Sequence, residues 1–332
     1  MVSGDGGEGI AADSTCRICG SSEVAGQVAV REMMFGTGEV FDYARCGGCG
    51  TLQIAEISDD LARHYAPGAY YSFNNAQREL RAKTWLKRLA ARGMVGRPAA
   101  FPTGGGPLAR IRRGAEPWTA HVPGLKRDSA ILDVGCGEGA RLAALARLGF
   151  DDLTGIDPYL PEASAGMTPE GIRLVSGELQ DLDGTFDCIT MHHSLEHFAD
   201  PGAMLVAASL RLRPEGQIFV RIPLMQEGIW QRFGRHWAQI DAPRHLYLFT
   251  PEAFVDLAAR QGLRTISQGC DTLGWSLAWS EAYQQGFPMH GENGAPNALP
   301  YSPQRIAAFE AEARRLNAAG QGDQGWFVLR PA

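Results

Sequence analysis

No stretch of about 18 uninterrupted apolar residues occurs in this chain, and a membrane-spanning helix requires one, so no span is expected. Nor is there a surplus of positive charge: 31 Lys and Arg against 37 Asp and Glu leave a net charge of −6. Without a basic field nothing draws the chain generally to nucleic acid or anionic lipid, which excludes a bulk nucleic-acid binder. The first residues, Met1 to Gly9, are acidic and Gly-rich and lack the basic and apolar regions of a secretory signal. A disulfide framework is missing too: four of the seven cysteines fall in two tight pairs, while Cys136, Cys188 and Cys270 stand alone. That usage fits a reducing, cytoplasmic setting. What remains is 332 residues, 45% hydrophobic, enough for a catalytic core and a small accessory module.

Along the chain, residues 1–12 read as a frayed leader and 13–72 as a first unit with short strand-like runs such as Gln27–Val30 and Thr51–Ile54. Residues 73–92 carry Ala82, Trp85, Leu86 and Leu89 at the spacing of one helix face. Residues 93–127 are dense in Pro and Gly, with Arg110, Arg112 and Arg113 among them, and read as a linker. From Asp128 to the last residue, 332, strand-like and helix-like runs alternate, which predicts a doubly wound, seven-stranded, mainly parallel α/β sheet. Its last two strands are expected around Leu263–Cys270 and Gly325–Leu329.

Cys16-Arg17-Ile18-Cys19-Gly20 and Cys46-Gly47-Gly48-Cys49-Gly50 are two C-x-x-C knuckles. Two residues between the cysteines of a pair let both thiolates turn onto one ion, and the glycine that follows relieves the tight turn. Cys16, Cys19, Cys46 and Cys49 are therefore the expected ligands of a zinc ribbon. Four thiolates leave no open position, so the metal is expected to be structural.

A strand ending in Asp133 runs into Gly135-Cys136-Gly137-Glu138-Gly139 and then a helix. Glycines permit the turn and a close approach of ligand to backbone, and the helix N-terminus offers free N–H groups. By itself the loop fits two cofactors, because Gly135-x-Gly137-x-x-Ala140 also satisfies a dinucleotide fingerprint. Asp157, about 20 residues on, is placed for ribose hydroxyls in either case.

The ordered set of segments resembles the class I S-adenosylmethionine-dependent methyltransferases. Ile131–Gly139 resembles their first motif, Gly155-Ile156-Asp157-Pro158 their second strand, and Phe186–Thr190 their fourth. His193-Ser194-Leu195-Glu196-His197-Phe198-Ala199-Asp200-Pro201 and Leu212–Gln217 resemble the segments that follow it. The resemblance implies a nucleotide site with Gly135, Cys136 and Gly137 along methionine and ribose, Asp157 and Pro158 at the ribose, and Gly177, Glu178 and Leu179 near the adenine. It places His192 at the methionine end and gives Asp133 the task of orienting the loop. A nicotinamide-dependent oxidoreductase and a catalytically idle, cofactor-binding adaptor that uses its ribbon for a partner are the competing readings.

A methyl acceptor with a hydroxyl or acidic C–H needs a base. His245, in Trp237–Thr250, follows the fifth strand, and an ordinary histidine titrates near neutrality. Beside it, Arg244 could meet a phosphate or carboxylate of the acceptor. Glu196-His197 reads as a structural pair. Together with the cysteine pairs, this region is similar to zinc-containing sugar C-methyltransferases, of whose Tyr-His-Glu-His segment only the final histidine is kept, as His245. The resemblance implies a small-molecule acceptor such as a sugar, a glycan or another hydroxyl-bearing metabolite, methylated on oxygen or carbon. Trp275 and Trp279, four apart, have the spacing of a packed helix face, with an aromatic lid as the alternative.

Overall fold

Ile131–Val134 and Leu153–Asp157 are buried at every position, which an element achieves only at the centre of a sheet covered on both faces. The computed structural model of the protein describes residues 15–65, 117–291 and 294–332, so the expected leader, the 73–92 helix and most of the linker lie outside the described residues. Twelve strands are present among them. β4 (Ile131–Val134), β5 (Leu153–Asp157), β6 (Gly166–Met167), β7 (Ile172–Ser176), β8 (Phe186–His192), β9 (Leu212–Pro223), β11 (Leu263–Cys270) and β12 (Gln324–Pro331) form one sheet, in the order β11-β12-β9-β8-β4-β5-β7-β6. The five strands from β9 to β7 are parallel, while β12 runs antiparallel to both β9 and β11. This is the expected methyltransferase sheet with one addition, the two-residue β6 that pairs antiparallel on the β7 edge.

Alternating residues of the central strands feed two cores, as the two-residue period of a strand demands. Leu132, Ile189, Ile218, Val220 and Phe327 join one cluster, whereas Ile131, Cys188, Phe219 and Val328 join the other. Helix α1 (Ala140–Leu148) covers the second face through Leu142, Leu145 and Leu148. The first face takes α2 (Pro201–Ser209), α4 (Pro251–Arg260) and α6 (Pro303–Ala318), through residues such as Leu205, Phe254 and Phe309. These three helices share a start signal. Asp200, Thr250 and Ser302 each accept an N–H of the first turn, and a proline follows at the first helical position. The shorter α3 (Glu227–Phe233) and the buried α5 (Gly274–Gln284) complete the helical set.

Two expectations need correction. The last part of the 93–127 linker is core: Trp118, Val122 and Leu125 are buried, and the Trp118 ring lies 5.3 Å from His192 and 5.2 Å from Phe219. The Pro and Gly composition is silent about these three apolar anchors.

The other concerns the cysteine-bearing unit, expected within residues 13–72, whose sheet is completed from outside that range. β1 (Val24–Arg31), β2 (Val40–Cys46) and β3 (Leu52–Ile54) make an antiparallel sheet whose fourth strand is β10 (Tyr247–Leu248), supplied by the loop after β9. Tyr247 pairs with Gln53 and Leu248 with Leu52. Cys16, Tyr43 and Leu52 consequently belong to the same core cluster as Phe254 and Phe327. Among the described residues, no helix is long and apolar enough to cross a membrane.

Candidate active site

The parallel strands end on one edge, where β4 turns through Gly135 and Gly137 into Gly139. All three have positive φ, the region glycine enters without steric cost. A Cβ on Gly135 would lie 2.5 Å from that of Ser194, so the loop is pressed against the segment that follows β8. Asp157 fastens the loop from the neighbouring strand: its Oδ2 accepts the Gly137 N–H at 2.9 Å and its Oδ1 the Tyr159 N–H at 2.8 Å. Burial pushes this carboxyl up, and the two N–H bonds oppose that. Each oxygen keeps a second lone pair for a hydroxyl. Asp133 accepts the Thr190 hydroxyl at 2.7 Å beneath the loop, and the Cys136 thiol, pushed up by burial, packs under Gly155. Gly177, whose N–H donates to the Asp157 carbonyl at 3.3 Å, has open space where a Cβ would stand. Glu178 beside it is exposed and Leu179 buried.

Beyond β8 the chain makes a sharp change of direction. His193 has φ 52, an uncommon value for a non-glycine residue, and it leads into the short turn Leu195–His197. Arg221 donates Nη1–H to His193 Nε2 at 3.3 Å, which leaves the proton on Nδ1, 3.2 Å from Glu196 Oε1. Arg221 is held in turn by Asp271 at 2.6 Å. Glu196 is fully buried, and burial pushes its carboxyl up to about 8.

Across from it, His245 donates Nδ1–H to the Gln239 carbonyl at 2.7 Å, and its Nε2 lies 3.8 Å from Glu196 Oε1 and 3.9 Å from Asp241 Oδ2. Burial pushes the His245 imidazole down, against Asp241 and the Gln239 carbonyl, so near neutrality Nε2 carries a free lone pair. His197 donates Nδ1–H to the Arg244 carbonyl at 2.8 Å, and burial with the neighbouring His245 pushes its imidazole down to about 3. Glu196, His197 and His245 thus bring ring nitrogens and a carboxylate oxygen within 4.8 Å of one another. A carboxyl pushed up beside imidazoles pushed down is an arrangement that acid–base sites use and that buried structural networks share.

A family model described as a methyltransferase domain matches residues 103–268, half of the chain. The chain is an S-adenosylmethionine-dependent methyltransferase by family. It is similar to the ubiquinone biosynthesis O-methyltransferase of Colwellia psychrerythraea, at 37% identity over 101 residues, which cover 28% of this chain and 41% of the relative. The same enzyme of Xanthomonas campestris is 35% identical over 99 residues, covering 27% and 41%. The chain therefore spans about two fifths of the length of these curated relatives. Among solved structures, the geranyl diphosphate C-methyltransferase of Streptomyces coelicolor superposes with a TM-score of 0.45 at 14% identity, over 68% of this chain and 81% of that one.

In this methyltransferase the segment 192–196 carries several buried polar atoms without a hydrogen-bond partner among the described residues: both ring nitrogens of His192, Ser194 Oγ and Glu196 Oε2. Ordinary cores satisfy such groups. Of these, Ser194 lies against Gly135 of the glycine loop, and an unsatisfied hydroxyl there fits a polar ligand. With the free lone pairs of Asp157 and the clear space at Gly177, the chain fits S-adenosylmethionine.

Arg244 departs from expectation. It is fully buried, and its guanidinium is committed: Nε and Nη2 donate to Asp241 at 3.0 and 2.6 Å, Nη2 also to Glu32 at 2.9 Å, and Nη1 to the His64 carbonyl at 3.3 Å. It has no donor fork left for an anionic acceptor. Glu196 and His197, expected as a structural pair, both face His245. Glu32, Asp241 and Tyr65, whose hydroxyl lies 2.9 Å from His197 Nδ1, went unnoticed in the sequence. Only the acidic character of Asp241 within the His245 segment offered a signal.

At the far end of the small sheet, Cys16 and Cys49 hold their sulfurs 3.8 Å apart, and Cys19 and Cys46 theirs 3.5 Å apart, none of them in a disulfide. Tetrahedral zinc with Zn–S bonds of about 2.3 Å separates thiolates by about 3.8 Å. The cluster fits that ion.

Proposed function

We propose that this enzyme methylates a hydroxyl of a small molecule, such as a sugar, a glycan or a related metabolite, with His245 taking the proton. The observation that carries the reading is the lone pair of His245 Nε2, facing the buried Glu196 carboxyl at 3.8 Å, two residues beyond the Ser194 that touches the glycine loop. Bound S-adenosylmethionine supplies a methyl carbon activated by its sulfonium. On this reading Asp157 and Pro158 bind the ribose, Gly135, Cys136 and Gly137 line the methionine and ribose, Gly177, Glu178 and Leu179 border the adenine, and His192 borders the methionine end. Asp133 supports the loop from below.

Nδ1–H of His245 is anchored on Gln239, so the ring is fixed with Nε2 forward. Transfer would form the O–C bond as the donor's C–S bond broke with its electron pair passing to sulfur, while the acceptor's O–H electron pair stayed on oxygen and its proton passed to His245 Nε2. Asp241, held ionised by Arg244, balances the imidazolium that results. Water exclusion by the buried walls strengthens these interactions. The curated relatives' printed activity, O-methylation, supports oxygen as the acceptor atom. We also assign Cys16, Cys19, Cys46 and Cys49 to one structural zinc ion.

Calorimetry with S-adenosylmethionine, S-adenosylhomocysteine and NAD tests the donor, and a labelled-methyl screen over sugar nucleotides and cell extracts identifies the acceptor. His245→Ala is expected to bind the donor as wild type does and to lose at least a hundredfold in turnover. Asp157→Ala is expected to weaken donor binding at least tenfold, about 1.4 kcal/mol. Wild-type turnover by His245→Ala would end the base assignment. Turnover that needed an added divalent cation would give Glu196, His197 and His245 a different task.

A further inference from the structure

A line of buried charge runs from the cysteine-bearing module to His245. Glu32, the residue after β1, is fully buried and tied into its own turn: Oε1 accepts the Phe35 N–H at 2.9 Å, and Oε2 accepts the Thr37 N–H at 3.0 Å and the Thr37 hydroxyl at 3.2 Å. Its Oε1 also accepts Arg244 Nη2 at 2.9 Å, with both side chains at 0% exposure. Arg244 grips Asp241 through two nitrogens, and Asp241 Oδ2 stands 3.9 Å from His245 Nε2. The module holds the backbone of the same residue as well, since the Tyr43 hydroxyl donates to the His245 carbonyl at 2.8 Å.

The charges do not cancel. Two carboxylates share one guanidinium, so the triad keeps one negative charge, and it ends beside His245. A buried triad of this kind is a poor device for stability, because apolar residues of the same volume do as well or better. It is a good device for holding a ring and balancing a proton on it. The other groups that face His245 do not supply that charge: His193 and His197 are kept neutral by burial, Glu196 is pushed toward its protonated form, and Tyr43 and Tyr65 are pushed toward the phenol.

We propose that Glu32 is a positioning residue of the acceptor site: through Arg244 and Asp241 it orients His245 and supplies the charge that balances a proton there, which makes the N-terminal module a working part of the catalytic centre. The proposal rests on His245 as the proton acceptor, and the following measurement needs no turnover. Imidazole titration by NMR, with the His245 signal identified by its loss in His245→Gln, is made on the full-length, zinc-loaded chain. Glu32→Gln is expected to lower the proton affinity of His245 at least threefold, with donor affinity by calorimetry within twofold of wild type. Val30→Ala, which thins the same hairpin at a buried position without touching the triad, is expected to leave the titration unchanged. If Glu32→Gln does not fold, Glu32→Asp, which draws the carboxylate back from Arg244 by one methylene, is expected to shift the titration in the same direction. An unchanged titration in the folded Glu32 variant, or the same shift in Val30→Ala, overturns the proposal. A shifted titration in a protein that His245→Ala leaves fully active would instead remove the base and keep the coupling.

Discussion

Replacing Glu196 by glutamine removes a titrating group while keeping its shape, and the consequence for stability follows from its surroundings. In water a glutamate carboxyl titrates near 4.5, and burial at this site pushes Glu196 up to about 8. Below about pH 4.5 the side chain is protonated in folded and unfolded chains alike, and it favours neither. Between 4.5 and about 8 the folded chain keeps a proton that the unfolded chain has released, so stability falls as pH rises; above about 8 the loss is complete. At about 1.36 kcal/mol per pH unit the full loss is about 5 kcal/mol. The glutamine variant lacks this dependence. Urea denaturation of both proteins at pH 5, 6, 7 and 8 measures the difference, to which groups remote from the site contribute equally in the pair. Relative to wild type, the variant should gain several kcal/mol across that series. A difference that stays flat with pH would show that Glu196 is ionised throughout, and that the carboxyl beside His245 is not poised to hold a proton near neutrality.

On the proposed zinc assignment, Cys46→Ser should abolish zinc binding, on the order of 10 kcal/mol of folding free energy, and unfold the small sheet. Native mass spectrometry and metal analysis check this, and a well-folded wild type with no zinc would contradict the assignment. Trp118→Ala should cost about 3–5 kcal/mol, since a buried indole packed on His192 and Phe219 is removed. A loss below about 1 kcal/mol in urea would mean that the 117–127 segment is not part of the core.

The parts of this protein that could be read from the sequence are those whose physics is local. The Gly135–Gly139 turn, the C-x-x-C knuckles and the Asp200-Pro201 and Thr250-Pro251 starts each place cause and effect within a few residues. The alternation of apolar runs gave the sheet for the same reason. Arg244 shows the opposite case. Its charge invited a role toward an anionic acceptor, and nothing near it in sequence revealed that Glu32, 212 positions away, already satisfies it. Glu196 looked structural because burial, the property that moves its carboxyl, is a tertiary fact. The Trp118 anchor was hidden by a Pro- and Gly-rich composition that says nothing of the three buried side chains.

The pairing of β3 with β10 also fixes an order of events during synthesis. Leu52 and Gln53 leave the ribosome almost two hundred residues before their partners Leu248 and Tyr247. Until then β3 has an open edge and Glu32 has no guanidinium to meet. Such an edge invites association with other chains, and closure across so long a loop is slow. The module is thus made long before the segment that completes its sheet. A nascent chain arrested before residue 244 would display the cysteine pairs with neither Arg244 nor β10 to close the sheet.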